Sequence, residues 1–506
     1  MKRSSGILMP IASLPSRYGI GCLDEAAYEF VDQLEKAGQG YWQILPMGPT
    51  GYGDSPYQSF STFAGNPYFI SLSELAKKGY LSEEDLQECE AAGDNQAVSY
   101  NVLYEKRFPL LRKAFWNSRI ETSAKYIKFI EDNQDWLGDY ALYMAIKDSQ
   151  NGISYLEWDE DIRLRRPEAI ETYKERLAGE VNFYQFLQFE FSLQWNQLRE
   201  YAGEHGVKII GDIPIYVALD SADTWAHPEL FELDEKRIPT SVAGCPPDAF
   251  SATGQLWGNP LYRWENHEKQ GYDWWIKRIR RCFQWYDVVR IDHFRGFDEF
   301  YAIPYGDKTA ENGSWQPGPG IRLFEALKEA LGDLPIIAED LGFLTDSVRE
   351  LLAKTGYPGM KVLQFAFDGQ GGSDYLPYQY DKNCVVYTGT HDNTTTLSWC
   401  KELPPAAKEQ LLAYTQESRL ASPKKLVWDM IQLAMASTAN LCIIPVQDYL
   451  ELPKEARINT PSTLGGNWQW RMGRDALDDK LREKIRNLTS LYGRLEDRKL
   501  SFLVWR

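Results

Sequence analysis

The chain has 506 residues, and its hydrophobic fraction of 43% and charged fraction of 25% are ordinary for a folded globular protein. The formal net charge of −17 argues against a nucleic-acid partner and against an anionic membrane surface as a partner. Seven scattered cysteines, with no CxxC pair among them, argue against a disulfide framework or a zinc cluster as the basis of the fold.

Eight short apolar segments rich in β-branched residues recur along the chain, and each ends in polar or glycine-rich sequence. Such segments are typical of strands that are buried on both faces, as in a parallel sheet. Helical patterns lie between several of them, as in Asp24–Lys36, Trp274–Trp285, Ile321–Leu331 and Thr345–Lys354. The predicted strands are Gly6–Ser13, Tyr41–Pro46, Val207–Val217, Asp287–Phe294, Leu334–Asp340, Met360–Phe367, Cys384–Thr390 and Leu441–Gln447.

Alternation of eight strands with helices favours a closed (β/α)₈ barrel, which we assign to the whole chain, residues 1–506. An open doubly wound sheet is the alternative, but it would need a glycine-rich phosphate-binding turn after the first strand, and no GxGxxG motif occurs there. The chain after the last strand is short, so no C-terminal β-sandwich domain is predicted.

Two long segments interrupt the alternation of strands and helices. Residues 71–179, after the second strand, are charged and helix-forming, as in Leu81–Ala92 and Tyr140–Asp148. Residues 218–273, after the third strand, are rich in Pro, Gly and Trp. Because the loops that follow barrel strands emerge on the catalytic face, we expect both insertions to contribute to the substrate site.

Three carboxylates stand at the ends of predicted strands, where barrel enzymes carry their chemistry. Asp292 lies at the end of the fourth strand, Glu339 at the end of the fifth, and Asp392 just after the seventh. Arg290 precedes Asp292 by two residues and points the same way, so its charge keeps that carboxylate ionised, as a glycosidic nucleophile must be. Glu339 follows an apolar strand, where burial raises a carboxyl pKa and suits a general acid.

The residues alone allow more than one interpretation of these carboxylates. Two carboxyl groups about 5–5.5 Å apart would support a retaining glycosidase mechanism with a covalent intermediate. A salt-bridge network at the barrel rim would use the same residue types. A Mg²⁺ site is a further alternative, but Arg290 and Arg295 would repel a divalent cation, so no metal is predicted.

Several short motifs occur along nearly the whole chain, and their number and order are more specific than any one motif. They include Gly51–Gln58, Gly211–Val217, Gly254–Tyr262 and Arg457–Pro461, together with the three carboxylate segments. In this order they resemble the 4-alpha-glucanotransferase family, the amylomaltases and disproportionating enzymes of glycoside hydrolase family 77 in the α-amylase superfamily. The resemblance implies transfer of a 1,4-α-D-glucan segment to the 4-hydroxyl group of an acceptor glucan or glucose.

The resemblance also implies roles for individual residues. Asp292 corresponds to the nucleophile, Glu339 to the acid/base, and Asp392 to a third carboxylate that holds hydroxyl groups of the donor sugar. Arg290 and His391 flank these carboxylates and are expected to contact the donor sugar. The remaining expected substrate-binding residues are Tyr57, Asp212, Phe250, Gln255, Trp257, His293 and Asn467.

Two observations qualify this assignment of roles. Tyr57, Phe250 and Trp257 could equally be packing residues of the insertion loops, because Trp and Tyr are often buried in such positions. The wider α-amylase pattern has an Asn-His pair where this chain has Ile215 and Tyr216, a departure that is itself typical of the glucanotransferase branch.

Transfer and hydrolysis share the covalent intermediate, and the outcome depends on whether a sugar hydroxyl group or water attacks it. An acceptor bound in apolar subsites excludes water and supplies an oriented hydroxyl group. The resemblance implies that residues 218–273, the insertion after the third strand, form this acceptor side. The alternatives are therefore a retaining α-glucan hydrolase of the α-amylase or α-glucosidase type, and a sugar-binding protein on an inactive barrel. The second is disfavoured because all three carboxylates are present.

The expected partners are α-1,4-glucans and maltooligosaccharides, which serve as both donor and acceptor. No cofactor is implied, and the sequence is compatible with either a monomer or a homodimer. No apolar run approaches the length of a signal-peptide core or a membrane span, so we expect a cytoplasmic protein.

Overall fold

Eight parallel strands form the central sheet of the computed structural model, which describes residues 2–90, 96–247, 251–342, 344–463 and 465–495. Each strand is short, and most of their residues are buried. In chain order the strands are Ser4–Leu8, Tyr41–Gln43, Lys208–Pro214, Val288–Asp292, Ile336–Ala338, Gly359–Val362, Cys384–Tyr387 and Leu441–Pro445, and we number them one to eight below.

The sheet closes into a barrel because each strand pairs with its neighbours in chain order. The first strand pairs in parallel with both the second and the eighth, for example through Gly6 opposite Tyr41 and Ser4 opposite Leu441. The remaining gap, between the fifth and sixth strands, is bridged by the Ala338 N–H, which donates to the Pro358 carbonyl at 3.0 Å. The predicted (β/α)₈ barrel is thus confirmed, and the open-sheet alternative is excluded.

Several predicted strands extend further than the strands in the structure. The first strand ends at Leu8, and Ile11–Ser13 instead form a 3₁₀ turn. The sixth strand likewise passes into a turn at Leu363–Phe365, and the eighth into a short helix at Val446–Tyr449. These continuations contain buried apolar residues of their own, and hydrophobicity alone does not distinguish a buried turn from a buried strand.

Several helices, but not all, begin after a residue whose side chain caps the first turn. The first helix follows Asp24, whose carboxylate accepts the Ala26 N–H at 3.1 Å, and it buries Phe30, Val31 and Leu34. The α-helices are Glu25–Lys36, Leu72–Lys77, Glu83–Glu90, Tyr100–Ser118, Ala124–Asp132, Leu137–Ser149, Glu160–Arg163, Pro167–Arg176, Ala178–Glu204, Ala222–Ala226, Trp264–Lys269, Asp273–Trp285, Ile321–Leu331, Asp346–Thr355, Thr396–Glu402, Pro405–Thr415, Pro423–Ala436, Val446–Tyr449 and Asp479–Leu491.

The described part of residues 71–179 is built mainly of helices, from Leu72–Lys77 to Pro167–Arg176. A buried ionic contact ties this segment to the loop after the third barrel strand. Asp220 in that loop accepts from the Lys147 ammonium group and from the Tyr143 hydroxyl group, each at 2.5 Å. The insertion is therefore anchored directly behind the carboxyl ends of the barrel strands.

A second, four-stranded antiparallel sheet lies among the loops after the third and fourth barrel strands, and the sequence did not predict it. Its strands, in spatial order, are Gln255–Pro260, Ser241–Cys245, Glu299–Pro304 and Ser314–Pro317. Residues 218–273 supply two of them, and the segment after the fourth barrel strand supplies the other two. The strands were missed because they are short and interrupted by Gly and Pro, which read as turn signals.

The end of the described chain, around Arg494, packs on the end of the barrel opposite the carboxyl ends of the strands. The buried Arg494 side chain donates to the backbone carbonyls of Met435 and Ser4, both at 2.8 Å. Among the described residues after Pro445 no strand forms.

In the described parts of the chain, no helix is both long and apolar enough to span a membrane.

Candidate active site

The third and fourth barrel strands bring an arginine between two carboxylates. Asp212 lies in the third strand, opposite Arg290 in the fourth, and the two residues form a buried ion pair. Arg290 Nη1 contacts both carboxylate oxygens of Asp212 at 2.7 Å, and its Nη2 contacts Asp292 Oδ1 at 2.9 Å. The Asp292 side chain remains 30% exposed at the mouth of the barrel. The predicted proximity of Arg290 and Asp292 is therefore present, and Asp212 holds the guanidinium group in place from behind.

Tyr57 connects this group to the seventh barrel strand. Its hydroxyl group donates to Asp212 Oδ2 at 2.9 Å and lies 2.9 Å from His391 Nε2. The Tyr57 ring stacks on the His391 ring with a centroid distance of 5.4 Å and an interplanar angle of 20°. Trp468 packs against both rings from the C-terminal loop. Tyr57 is thus part of the polar network, in addition to being packed.

Asp392 lies between a histidine and an asparagine. His391 Nε2 is 3.2 Å from Asp392 Oδ2, and Asn459 Nδ2 donates to Oδ1 at 2.6 Å. Burial acts to raise the pKa of Asp392, but His391 and Asn459 outweigh it and lower the pKa to about 2. Burial acts to lower the pKa of His391, whereas Asp392 raises it, and the net shift is upward. The Asp392 carboxylate is therefore ionised at neutral pH.

Asn459 was missed by the sequence analysis, although it lies within the motif Arg457–Pro461. A backbone hydrogen bond fixes the loop that carries Asn459, because the Asn459 N–H donates to the His391 carbonyl at 3.1 Å. Arg457 also donates, to the Asp392 carbonyl at 2.5 Å. An asparagine in a proline-flanked loop has no local signal that distinguishes a turn residue from a carboxylate partner.

Glu339 stands directly after the fifth barrel strand, at the edge of the same cleft. Its Oε2 accepts the His293 backbone N–H and its Oε1 accepts the Leu341 N–H, both at 2.7 Å. Burial and then the nearby Asp292 charge raise the pKa of Glu339 to about 7, while Arg290 and the two N–H donors act in the opposite direction. At neutral pH a large share of Glu339 is protonated, as a general acid requires.

His293 and Trp257 meet beside Glu339. His293 has a left-handed backbone conformation, with φ of 54°, which turns its N–H toward the Glu339 carboxylate. The edge of the Trp257 ring system meets the His293 ring at a centroid distance of 4.8 Å and an angle of 86°. Gln255 lies on the same strand, and its Oε1 accepts the Trp257 indole N–H at 3.1 Å. Burial lowers the pKa of His293 to about 4, so its ring is neutral.

Two expected site residues stand apart from this network. Asn467 lies in the C-terminal loop, where its side chain accepts the Thr460 N–H at 2.9 Å and donates to Thr463. The structure thus gives Asn467 bonds within its own loop. Phe250 lies outside the described residues.

The arrangement offers one carboxyl group that is partly protonated near neutral pH, one carboxylate clamped by an arginine, and a third that is strongly ionised. These properties match the two roles of a retaining glycosidase, with a further anion beside them. Among the described residues, no cluster of three or more His, Cys, Asp or Glu side chains is placed to hold a metal ion.

Comparison with known proteins gives one consistent result. The family model described as 4-alpha-glucanotransferase matches residues 9–476. A 4-alpha-glucanotransferase of Clostridium butyricum is 49% identical over 489 residues, covering 96% of this chain and 100% of that protein. One of Thermus thermophilus is 45% identical, covering 93% and 95% of the two chains. An amylomaltase from Streptococcus agalactiae, solved in complex with acarbose, superimposes with a TM-score of 0.95 at 41% identity, covering 98% and 100%.

Proposed function

The chain belongs to the 4-alpha-glucanotransferase family, and from this premise we propose which residues carry out its reaction. The enzyme transfers a segment of a 1,4-α-D-glucan to the 4-hydroxyl group of an acceptor glucan or glucose. We assign the nucleophile to Asp292, the acid/base to Glu339 and the stabilising third carboxylate to Asp392. The observation that carries this assignment is the contrast between Glu339, with a pKa raised to about 7, and Asp292, whose carboxylate is paired with Arg290 at 2.9 Å.

The reaction begins with a protonated Glu339 and an ionised Asp292. Asp292 Oδ attacks the anomeric carbon of the donor, and Glu339 gives its proton to the glycosidic oxygen, so that the leaving glucan departs with a free 4-hydroxyl group. The Asp292–glucosyl ester is the intermediate. In the second step Glu339, now ionised, takes the proton from an acceptor 4-hydroxyl group, and the acceptor oxygen displaces Asp292.

The other site residues support these two steps. Arg290 pairs with the Asp292 carboxylate at 2.9 Å, and its bonds to Asp212 fix the position of its guanidinium group. We assign His391 and Asp392 to the hydroxyl groups of the donor sugar, because the Asp392 carboxylate accepts from hydroxyl groups, and a site built to hydrogen-bond a hydroxyl group discriminates strongly against its absence. We place Tyr57 beside them as the residue that orients His391.

The acceptor side is assigned to the strand that carries Gln255 and Trp257, with His293 beneath it. The Trp257 indole is a half-buried apolar surface next to Glu339's hydrogen-bond partner His293. A sugar ring resting there would exclude water from the intermediate and present its own hydroxyl group instead. Phe250 and Asn467 are proposed to contribute further contacts to bound glucan.

Incubation with maltotriose alone tests the proposed function. We expect glucose together with a ladder of longer maltooligosaccharides, because each transfer releases one product and lengthens another. Chromatographic separation of the products distinguishes this result from hydrolysis. Glucose and maltose without longer chains would contradict transfer and support the α-glucan hydrolase alternative.

The pH dependence of transfer should report the protonation of Glu339. Its acid form is needed for the first step, and the pKa of Glu339 is about 7, so kcat/KM for maltotriose should fall as the pH rises above about 7. Glucose release at a series of pH values measures this limb. With α-maltosyl fluoride as donor, whose leaving group needs no proton, the limb should disappear from the glycosylation step. If it persists with the fluoride donor, another group is responsible.

Replacement of Asn459 should weaken catalysis through Asp392. Asn459→Ala removes the 2.6 Å donor to Asp392 Oδ1, and hydrogen bonds to charged groups contribute about 1.5–3 kcal/mol, so kcat/KM for maltotriose should fall roughly 10- to 100-fold. Asn383→Ala, which removes an exposed side-chain bond to the Gly356 carbonyl at the other end of the barrel, is the matched control. Equal losses in the two variants would place the effect in stability instead.

The proposals for the working substrate and the cellular location rest on more general arguments than the assignment of the site residues. Glycogen, starch and maltodextrin all contain the α-1,4 bonds that this site accepts, and we propose them as donors together with shorter maltooligosaccharides. We also propose a cytoplasmic location, in keeping with cysteines that form no disulfide among the described residues, as is usual in a reducing compartment. Monomer and homodimer are both compatible with the site, because the three carboxylates and the partners described for them come from one chain.

A further inference from the structure

A groove outside the catalytic cleft lies on the four-stranded antiparallel sheet. It has a cavity volume of about 530 Å³. The outer strand Ser314–Pro317, the helix Trp264–Lys269 and the start of the helix Ile321–Leu331 form its walls. A volume of this size is in the range of small-molecule sites. The groove has no part in the mechanism derived above.

The groove has acceptors without partners in the described part of the chain, whereas its arginines are engaged, and this difference indicates a class of ligand. Glu232 is half-buried in its wall, and its carboxylate has no hydrogen-bond or ion-pair partner among the described residues. Burial raises the pKa of Glu232, while the nearby Arg263 charge acts in the opposite direction. Both arginines of the groove are engaged, since Arg263 donates to the Leu233 carbonyl and Arg322 pairs with Glu268. The groove therefore offers free acceptors and requires a ligand that supplies donors.

An aromatic ring lies beside these acceptors. Trp264 is only partly buried and lines the groove, while Trp275 stacks on it at a centroid distance of 6.0 Å and an angle of 25°. Trp264 is thereby fixed in orientation. Gln316 on the outer strand adds an exposed amide group. An aromatic surface with carboxylate and amide groups around it suits a neutral ligand that has both an apolar face and many hydroxyl groups.

The groove is also on the same sheet face as the acceptor side of the cleft. Ser241 lines the groove, and it alternates onto the same face as Cys245, which is paired with Gln255. On the other side, Ala302 is paired with Ser314 across the outer strands. Three strand spacings separate the strand of Gln255 from the outer strand, which is about 14 Å. A glucan several units long could extend over that distance.

We propose that this groove is a secondary binding site for α-glucan chains, which holds long donors or acceptors near the catalytic cleft. The proposal rests on the assigned glucanotransferase function for the class of ligand. It assigns Glu232 as an acceptor for sugar hydroxyl groups and Trp264 as the surface on which a sugar ring lies. Chains too short to reach both places gain nothing from the groove.

Kinetics with donors of two lengths test the proposal. In Glu232→Gln and in Gln316→Ala we expect KM for amylose to rise about tenfold, while kcat/KM for maltotriose stays unchanged, because the first change replaces a charged acceptor by a weaker neutral one and the second removes an amide group. Glu235→Gln, at an exposed position outside the groove, is the matched control. Neither test variant alters a residue with a core contact, so a loss of folding is not expected, and the maltotriose rate checks it.

Affinity electrophoresis through glycogen-containing gels gives a second measurement. In the Asp292→Asn background, which prevents turnover, Glu232→Gln should migrate faster than its parent. Equal changes for amylose and maltotriose, or no change for either, would overturn the secondary site. Binding of calcium by the groove, without any effect of the substitutions on amylose, would also overturn the secondary site. Failure of the parent enzyme to disproportionate maltotriose would instead contradict the proposed function, so the two failures are distinguishable.

Discussion

Replacing Asp292 by asparagine should lower the rate of glucan transfer by about 10⁴-fold or more, the order of loss seen when an enzyme loses its covalent nucleophile. The amide has the size of the carboxylate but does not attack the anomeric carbon. The barrel should stay intact, because Arg290 keeps both of its contacts to Asp212 at 2.7 Å. Disproportionation of maltotriose, followed by glucose release, measures the loss.

A matched substitution separates this effect from a general one. Asp298 lies in the loop after the same barrel strand, and its carboxylate accepts from Ser347 at 2.7 Å. Asp298→Asn changes the same functional group in the same region and should transfer at close to the parent rate. A comparable loss in both variants, or substantial activity in Asp292→Asn, would contradict the assignment of the nucleophile.

Removal of the acid/base should impair transfer from maltotriose but not the reaction with a donor whose leaving group needs no proton. Glu339→Gln should lower transfer from maltotriose by roughly 10²- to 10⁴-fold, since the leaving glucan then lacks a proton donor. The same variant should still form the glucosyl-enzyme from α-maltosyl fluoride, whose leaving group needs no acid. Stopped-flow release of fluoride measures the first step alone. Glu350→Gln in the following helix, where Glu350 makes only a surface pair with Lys354, is the control.

Azide distinguishes the two carboxylates by stereochemistry. In Asp292→Ala, azide can occupy the space of the nucleophile and displace fluoride from α-maltosyl fluoride in one inversion, which yields β-maltosyl azide. In Glu339→Ala, azide attacks the covalent intermediate instead, and two inversions yield the α-anomer. Nuclear magnetic resonance of the products identifies the anomer. The opposite pairing of variant and anomer would exchange the two assigned roles, and an absence of azide products from both would argue against the covalent route.

Much of the barrel follows from local patterns in the chain. The eight apolar segments are strands because each is buried on both faces, and this constraint is visible as a run of β-branched residues. Ile321–Leu331 was predicted with the bounds found in the structure, because its helical period is uninterrupted between Gly320 and Gly332. The antiparallel sheet was not predicted, since its strands become stable only by pairing with one another across the loops that separate them.

In the candidate site, too, some features follow from local sequence and others only from the tertiary structure. The sequence by itself determined that Asp292, Glu339 and Asp392 lie at the ends of barrel strands, because strand ends are marked by where apolar runs stop. It also placed Arg290 on the side of Asp292, which follows from the two-residue period of a strand. These are properties of short segments, and they hold wherever the segments lie.

Only the tertiary structure decided which partners each carboxylate has. Asp212 meets Arg290 through strand pairing, Asn459 reaches Asp392 from a loop 67 residues later, and Tyr57 bridges to His391 across 334 residues. The pKa of Glu339 depends on burial and on Asp292, which the fold brings beside it. Electrostatic and hydrogen-bond energies depend on distances between groups far apart in the chain, so no local pattern encodes them.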